Sequence, residues 1–436
     1  MKFPLPLDTL PTLELSVDDQ RKLADAAEAV VSATVLQYHE HLTLHQSVVD
    51  ERRWKKIKQR EDVRVYRERK ASMDSKTTDE PTGGSSSSTN SVNKESEFSV
   101  MSPMLTFGTI QGNLEDIMYG ALNPSVEEMQ LKTAYVANSF VDWAVLASII
   151  KPSEQDPFRE LSINEQDPFR ELSIKWTIKG HPLLVGAIMR TRDTLYIESI
   201  GIAMTPSGER IGYHLQHSVD IPECPELLHL QIVRAKISFC HLFRQRKDNC
   251  VEVFIRGYIS PMGDLPASLA ATTSAEVSVS VWKNLHCSEM KKLTRILTAR
   301  RRTNSTLSLD MRSVSSSSGS RASTEIMETD YARASTSGRS CALCHRSQGG
   351  PFSFGGSRAK HCHVCWARVC SHCRVSKIVH FATKRHKVLS STSMGVCTRC
   401  LLDASCASSA TFAVLDALAA QGVAVDYTKA LANHSL

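Results

Sequence analysis

Eight cysteines between positions 341 and 400 are the residues best placed to do chemistry. They form four CxxC pairs, Cys341/Cys344, Cys362/Cys365, Cys370/Cys373 and Cys397/Cys400, with 17, 4 and 23 residues between successive pairs. A CxxC turn aims two thiolates at one point, so four such turns supply the ligands of two tetrahedral four-thiolate sites, and zinc is the metal this donor set favours. A disulfide framework would need an oxidising compartment. The N-terminus MKFPLPLDTLPTLEL has neither a basic n-region nor a continuous apolar run to route the chain there. A stretch of about 60 residues with few large apolar side chains cannot bury a self-sufficient core, so metal binding here should also be folding free energy.

Charge is concentrated in the same stretch. Between Arg339 and Cys400 there are eleven Lys or Arg, six His, and no Asp or Glu. Eight thiolates and two Zn²⁺ contribute −4, which leaves about +7. The whole 436-residue chain is formally only +6, so the basicity belongs to this stretch. A surplus beyond what the thiolates require favours an anionic partner, phospholipid or nucleic acid.

The four-residue gap in CWARVC, the Cys at the fifth ligand position, the Phe-Ser of PFSFGG, the basic SRAKHCHVC and the closing GVCTRC resemble a FYVE finger over residues 341–401. The ligands of such fingers interleave. The resemblance therefore implies Cys341, Cys344, Cys370 and Cys373 on one zinc and Cys362, Cys365, Cys397 and Cys400 on the other, in a small cross-brace fold. It also implies recognition of phosphatidylinositol 3-phosphate on endosomal membrane, with Arg358, Lys360, His361 and His363 at the headgroup and Phe354 as a membrane-inserting tip. Arg358 and His361 match the lipid-reading pattern, whereas Ala359, Lys360, His363 and Gly395 depart from it and no WxxD element precedes Cys341. Bidentate Arg donors are what give headgroup selectivity, so these departures predict charge-driven, salt-sensitive binding to anionic membrane.

The remaining elements read in order. Ser16 with Asp19 opens a helix over residues 17 to about 53, VRVYR at 63–67 reads as a strand, and 71–97 has the composition of a disordered insertion. MLTFGTI from Met104 is strand-like, Asn113 caps a helix, and Ser125 with Glu128 opens another. An eleven-residue duplication follows at 153–174, SEQDPFRELSI then NEQDPFRELSI; the second copy runs into KWTIKG and should form a strand, with the first looped out. Two hairpins come next, turning at TPSGE and at KDN, and an apolar-striped helix is expected over about 275–299. Residues 301–338 are a Ser-rich linker, and the tail 403–436 holds a short Ala-rich helix. His214, His217 and His241 alternate along strands with no GxSxG, phosphate loop or paired carboxylate near them in the sequence, so no enzyme signature is read.

A curved antiparallel sheet with a long C-terminal helix is a helix-grip arrangement of the α+β class. The segments ERRWKKIKQREDVRVYRER, GTIQGNLEDIMYG, IKWTIKGHPLLVG, RTRDTLYIE, GERIGYHLQHSVD and SVWKNLHCSEMKKL look like the START-like domains found joined to FYVE-type fingers. The resemblance implies a START-like unit over 1–300, folding without the finger at 339–402, with a cavity that holds a lipid or other apolar ligand. Together the segments predict a cytoplasmic, non-enzymatic lipid-binding or membrane-trafficking protein, peripheral on endosomal membrane, whose anionic partner is phospholipid rather than nucleic acid. The alternative is a zinc-finger adaptor that recruits a protein or nucleic acid, with the START-like unit as inert scaffold.

Overall fold

The structure is a computed structural model. It describes residues 3–6, 9–69, 103–138, 140–152, 157–158, 167–180, 190–247, 249–263, 267–314, 340–346, 360–382 and 389–432. The insertion read at 71–97, most of the first repeat copy, Phe354, Arg358 and the linker beyond 314 lie outside the described residues.

A single antiparallel sheet organises residues 54–260. Its strands are β1 (Trp54–Arg60), β2 (Val63–Glu68), β3 (Met104–Gln111), β4 (Phe140–Ile150), β5 (Glu171–Lys179), β6 (Arg192–Met204), β7 (Arg210–Ser218), β8 (Val233–Arg234), β9 (Lys236–Arg246) and β10 (Cys250–Ser260). They lie in the order β1-β2-β3-β10-β9-β7-β6-β5-β4, with β8 added parallel to β6. Both expected hairpins are present, closing Met204 onto Arg210 and Arg246 onto Cys250. Gly208, at φ +80°, takes the left-handed position the first turn needs.

The helices are α1 (Val17–Thr43), α2 (Leu114–Ala121), α3 (Val126–Val136), α4 (Ala267–Val279) and α5 (Lys283–Val314). Ser16, Asn113 and Ser125 cap the first three through their side-chain oxygens, as their positions in the sequence imply. Two boundaries differ from the sequence reading. The first helix stops at Thr43 rather than near 53, and the C-terminal helix is two helices broken at 280–282. The Ser- and Val-rich VSVSV run at 277–281, around the break, has low helix propensity. Beyond it α5 continues through Val314, into the stretch read as linker, because a nucleated helix propagates at little cost.

Each face of the sheet carries its own core. On one face Leu172, Ile174, Trp176 and Ile178 of β5, with Leu195, Tyr213, Leu242 and Phe254, pack under Ala27, Val31 and Tyr38 of α1. On the other, Ile200, Phe243, Val251 and Val253 pack with Ile117 and Met118 of α2 and Met290, Leu293 and Ile296 of α5. This second core runs on without a break into the cysteine-rich stretch, taking in Val364, Val369, Val379, Val396 and Phe412. The elements there are β11 (Arg374–Ala382), β12 (Leu389–Cys397), α6 (Thr398–Cys406), α7 (Ser409–Ala420) and α8 (Lys429–Ala432). The second core thus crosses residue 300, where the sequence reading ended its START-like unit.

Charged groups close the seam. Asp416 of α7 accepts from Tyr119 of α2 at 2.8 Å, Arg295 of α5 at 2.8 Å and Tyr427 at 2.7 Å. Lys377 of β11 pairs with Glu289 of α5 at 3.0 Å, and the His380 amide donates to the Tyr135 hydroxyl at 2.9 Å.

The two repeat copies have different surroundings. In the second, Phe169 is fully buried, and Arg170 donates to the Ser199 hydroxyl at 2.9 Å as β5 begins. Of the first, the described Phe158 is half-buried at the rim, with the Arg21 guanidinium over its ring at 5.6 Å. Although the two phenylalanines occupy the same place in the repeat, Phe169→Ala should cost about 3–5 kcal/mol of stability and Phe158→Ala less than about 1.5 kcal/mol. Chemical denaturation of the two variants checks this; equal losses would show that the copies are structurally equivalent.

Candidate functional site: two tetracysteine centres and a buried polar layer

The eight CxxC cysteines gather into two quartets. The sulfurs of Cys341, Cys344, Cys370 and Cys373 lie within 4.8 Å of one another, as do those of Cys362, Cys365, Cys397 and Cys400. The first and third pairs make one quartet and the second and fourth the other, so the two interleave along the chain. Cys344 and Cys370 sulfurs are 3.6 Å apart and Cys365 and Cys397 sulfurs 3.9 Å apart, far longer than a disulfide. A tetrahedron with Zn–S of ~2.3 Å has edges of about 3.8 Å, so the donor set fits zinc in both chemistry and span. Backbone amides support the thiolates. The Cys397 amide donates to the Cys362 sulfur at 3.2 Å, and the Cys370 amide donates to the Cys341 sulfur at 3.4 Å. With bound metal, each quartet would tie segments distant in sequence to a single ion.

The sequence-derived headgroup residues sit at the edge of the second quartet. Lys360 and His361 are exposed, and His361 forms an isolated antiparallel bridge with Arg368. His363 is held against β12: its amide donates to the Gly395 carbonyl at 3.0 Å, and its Nδ1 lies 2.8 Å from that carbonyl oxygen and 3.1 Å from the Gly395 amide nitrogen. The knuckle after Cys365 is completed by Trp366 at φ +60°, a left-handed conformation unusual for so large a side chain, and the residue is 48% exposed. Arg358 and Phe354 are outside the described residues. Among the described residues no single helix is long and apolar enough to cross a membrane. Together α6 and α7 have the composition, but they bend by 83° and bury Phe412 and Ala413 in the core.

The sequence reading passed over a second feature. On the sheet face toward α2 and α5, Glu171, Ser173 and Lys175 of β5 lie beside Glu198 of β6 and His214 of β7, and all are buried. Lys175 donates to Glu171 at 2.6 Å, to the Asn123 carbonyl at 2.9 Å, and to Glu198. His214 Nε2 bonds Glu198 at 2.6 Å and stacks on His241, with ring centroids 5.3 Å apart. The absence of a paired carboxylate near these histidines is therefore corrected: sheet pairing brings Glu198 and Glu171 there from distant sequence. The available signal was the alternation of ELSIKWTIK, which reads as a strand with one solvated polar face; here that face is covered.

Burial and charge set the protonation states. Burial alone would raise the Glu198 carboxyl, but Lys175 and His214 outweigh it and hold it below the usual carboxylate range. Burial would lower the Lys175 ammonium, and Glu171 and Glu198 outweigh that and raise it. Burial lowers His214, and burial with the neighbouring His214 pushes His241 down to about 3. At neutral pH the cluster is thus an ion-paired lysine between two carboxylates, flanked by neutral imidazoles. Glu171 Oε2 is buried with no partner among the described residues. His217 stands apart, bonded to the Ser238 hydroxyl at 2.9 Å. A separate open cleft of about 390 Å³ lies at the seam, between Asn113, Asp116, Arg210 and Gln245 on one side and Cys406 and Ser408 on the other.

No protein-family model matches the chain, and no curated protein does. Among solved structures it is similar to human StAR-related lipid transfer protein 5, at 14% identity over 62% of this chain and 97% of that one, with a TM-score of 0.37. It is also similar to human STARD10, at 12% identity over 57% and 78% with a TM-score of 0.34. A third is the STAR-related lipid transfer protein fragment from Xanthomonas axonopodis, at 13% identity over 54% and 97% with a TM-score of 0.32.

The quartets give a direct test by metal count. The protein should bind two zinc ions, and Cys370→Ser should lose one ion and as much stability as Cys341→Ser, because both serve one quartet. Elemental analysis with thermal melting measures both; a single ion in the unmodified protein, or unequal damage, would contradict the grouping.

Proposed function

We propose that this is a zinc-dependent lipid-binding protein of START-like architecture, which works by binding rather than catalysis. Its basic cysteine-rich finger, in this reading a FYVE-type cross-brace, meets the anionic surface of an endosomal membrane from the cytoplasmic side. The observation that carries the proposal is the polar layer set into the apolar side of the sheet. Lys175, Glu198 and His214 satisfy one another, while Glu171 retains a buried carboxylate oxygen with spare acceptor capacity. An unmade hydrogen bond at a buried carboxylate is costly, and an apolar molecule carrying a hydroxyl would supply it. The ligand class follows: a lipid with a hydroxyl donor, its apolar part against residues such as Phe243, Ile200 and Met290. For the finger the support is charge: no acidic residue offsets its basic side chains between Arg339 and Cys400.

Native mass spectrometry of protein purified from its own cells tests the proposal. The expected spectrum shows two zinc ions and a retained lipid mass. Glu171→Gln, which keeps the shape but removes the carboxylate, should reduce lipid retention by about tenfold with zinc unchanged. Absence of any extractable lipid, together with failure to bind a fluorescent hydroxylated lipid analogue, would overturn the carrier reading in favour of an adaptor.

A further inference from the structure

The two edges of the large sheet are finished differently. β4 ends it on one side, and residues before α1 strap that strand: the Leu13 amide donates to the Leu146 carbonyl at 3.0 Å, and the Leu5 amide to the Asp142 carboxylate at 2.7 Å. Three register shifts interrupt its pairing with β5. β1 ends the other side and pairs with β2 alone. Among the described residues no other segment exchanges backbone hydrogen bonds with residues 55–60. A row of N–H and C=O groups on β1 is therefore open to one more strand.

The side chains along this edge are cationic. Residues 51–69 carry nine Lys or Arg against four Asp or Glu, a formal net charge of +5. On β1 itself Lys55, Lys56, Gln59 and Arg60 are exposed. The register sets Lys55 directly opposite Arg67 on β2, and like charges so placed are unfavourable in a sheet. Glu68 serves Arg53, and Lys58 pairs with Glu276 of α4, but Lys55, Lys56, Arg64 and Arg67 make no ion pair among the described residues. Lysines on an edge repel a second copy of that edge, and by the same sign they favour a strand of opposite charge. The hairpin offers little to a lipid surface or to nucleic acid bases. Trp54, Val63, Val65 and Tyr66 are buried, and Ile57 is half-buried against Ala275 and Val279, so no apolar tip or free ring projects.

We propose that β1 is a docking edge for an extended acidic segment of another protein, which joins the sheet as a further strand. Main-chain hydrogen bonds to β1 give the affinity, and carboxylates opposite Lys55 and Lys56 give the selectivity. Successive residues of a strand point to opposite faces, so the segment carries acidic residues at adjacent positions. The register shift between Lys56 and Lys58 keeps the paired run short. Neither a bound lipid nor the metal quartets enter into this contact.

The zinc-loaded full chain is titrated at 150 mM salt with a labelled, end-blocked ten-residue peptide of Glu, Val and Thr that has adjacent Glu residues at its centre. Fluorescence anisotropy follows binding, and hydrogen–deuterium exchange should show protection confined to residues 54–60. A counterpart N-methylated at its central residues keeps the charge but loses the strand donors, and should bind at least about tenfold more weakly. Lys55→Glu with Lys56→Glu should weaken binding of the acidic peptide by about tenfold and create binding of a Lys-for-Glu peptide. Arg210→Glu with Lys247→Glu, an equal change of charge elsewhere on the surface, should weaken it by at most about twofold. Melting confirms that the variants are folded, and the N-methylated peptide tests backbone pairing on the unmodified chain. The proposal is overturned if the acidic peptide fails to bind at about 1 mM, or if the N-methylated peptide binds as well as its parent. It is also overturned if Lys55→Glu with Lys56→Glu instead abolishes binding to phosphatidylserine vesicles or a single-stranded oligonucleotide while the peptide is unaffected, or if sedimentation shows β1 occupied by a second copy.

Discussion

Two adjacent lysines on α5 hold the molecule together. The Lys291 ammonium donates to the carbonyls of Tyr119 and Leu122 at the C-terminal end of α2, at 3.2 and 3.0 Å. Its neighbour Lys292 donates to the carbonyls of Ser405 and Ala407 at the C-terminal end of α6, at 3.2 and 2.7 Å, and pairs with Asp116 at 2.7 Å. The last carbonyls of a helix have no partner within it and carry its negative dipole end, so a buried ammonium satisfies both. Burial lowers the Lys291 ammonium, and the carboxylates of Asp416 and Glu171 oppose that. The same device recurs at α3, whose final carbonyl, Val136, accepts from Lys283 at 2.8 Å. One helix thus caps two helices beside the sheet and one that follows the finger.

This explains why α5 is buried nearly all round. From Cys287 to Leu297 only Glu289 and Arg295 are less than fully buried, and both are paired across the seam to Lys377 and Asp416. A helix with one apolar stripe would cover a sheet and turn its other face to water. Here the second face is covered by β11, α6 and α7. The metal quartets lie in segments continuous with that cover, so metal binding, finger folding and closure of the helix layer over the sheet are parts of one equilibrium.

Much of this was legible. Cysteine spacing located the four CxxC pairs, the resemblance to a FYVE finger implied how they group, capping residues placed the starts of α1, α2 and α3, and alternation with turn residues gave the hairpins β6–β7 and β9–β10. Three features were not. The polar face of ELSIKWTIK reads as solvent-facing because period-two alternation cannot tell water from a covering helix. The burial of Lys291 and Lys292 in MKKLTR was not legible because it depends on carbonyls of α2 and α6 and on the carboxylates of Glu128 and Asp116, far away in sequence. Gly395 reads as a missing arginine until the hairpin register shows Arg374 lying over it. In each case the deciding partner is brought by tertiary packing, which local pattern does not encode.

Finger and sheet share one core through α5, and hydrogen–deuterium exchange of the intact chain, with zinc bound and after chelation, tests this most directly. The expected result is that zinc removal exposes amides not only in the finger but throughout α5, α2 and the facing strands β9 and β10. Loss of protection confined to residues 340–400, with α5 and the sheet unchanged, would contradict it.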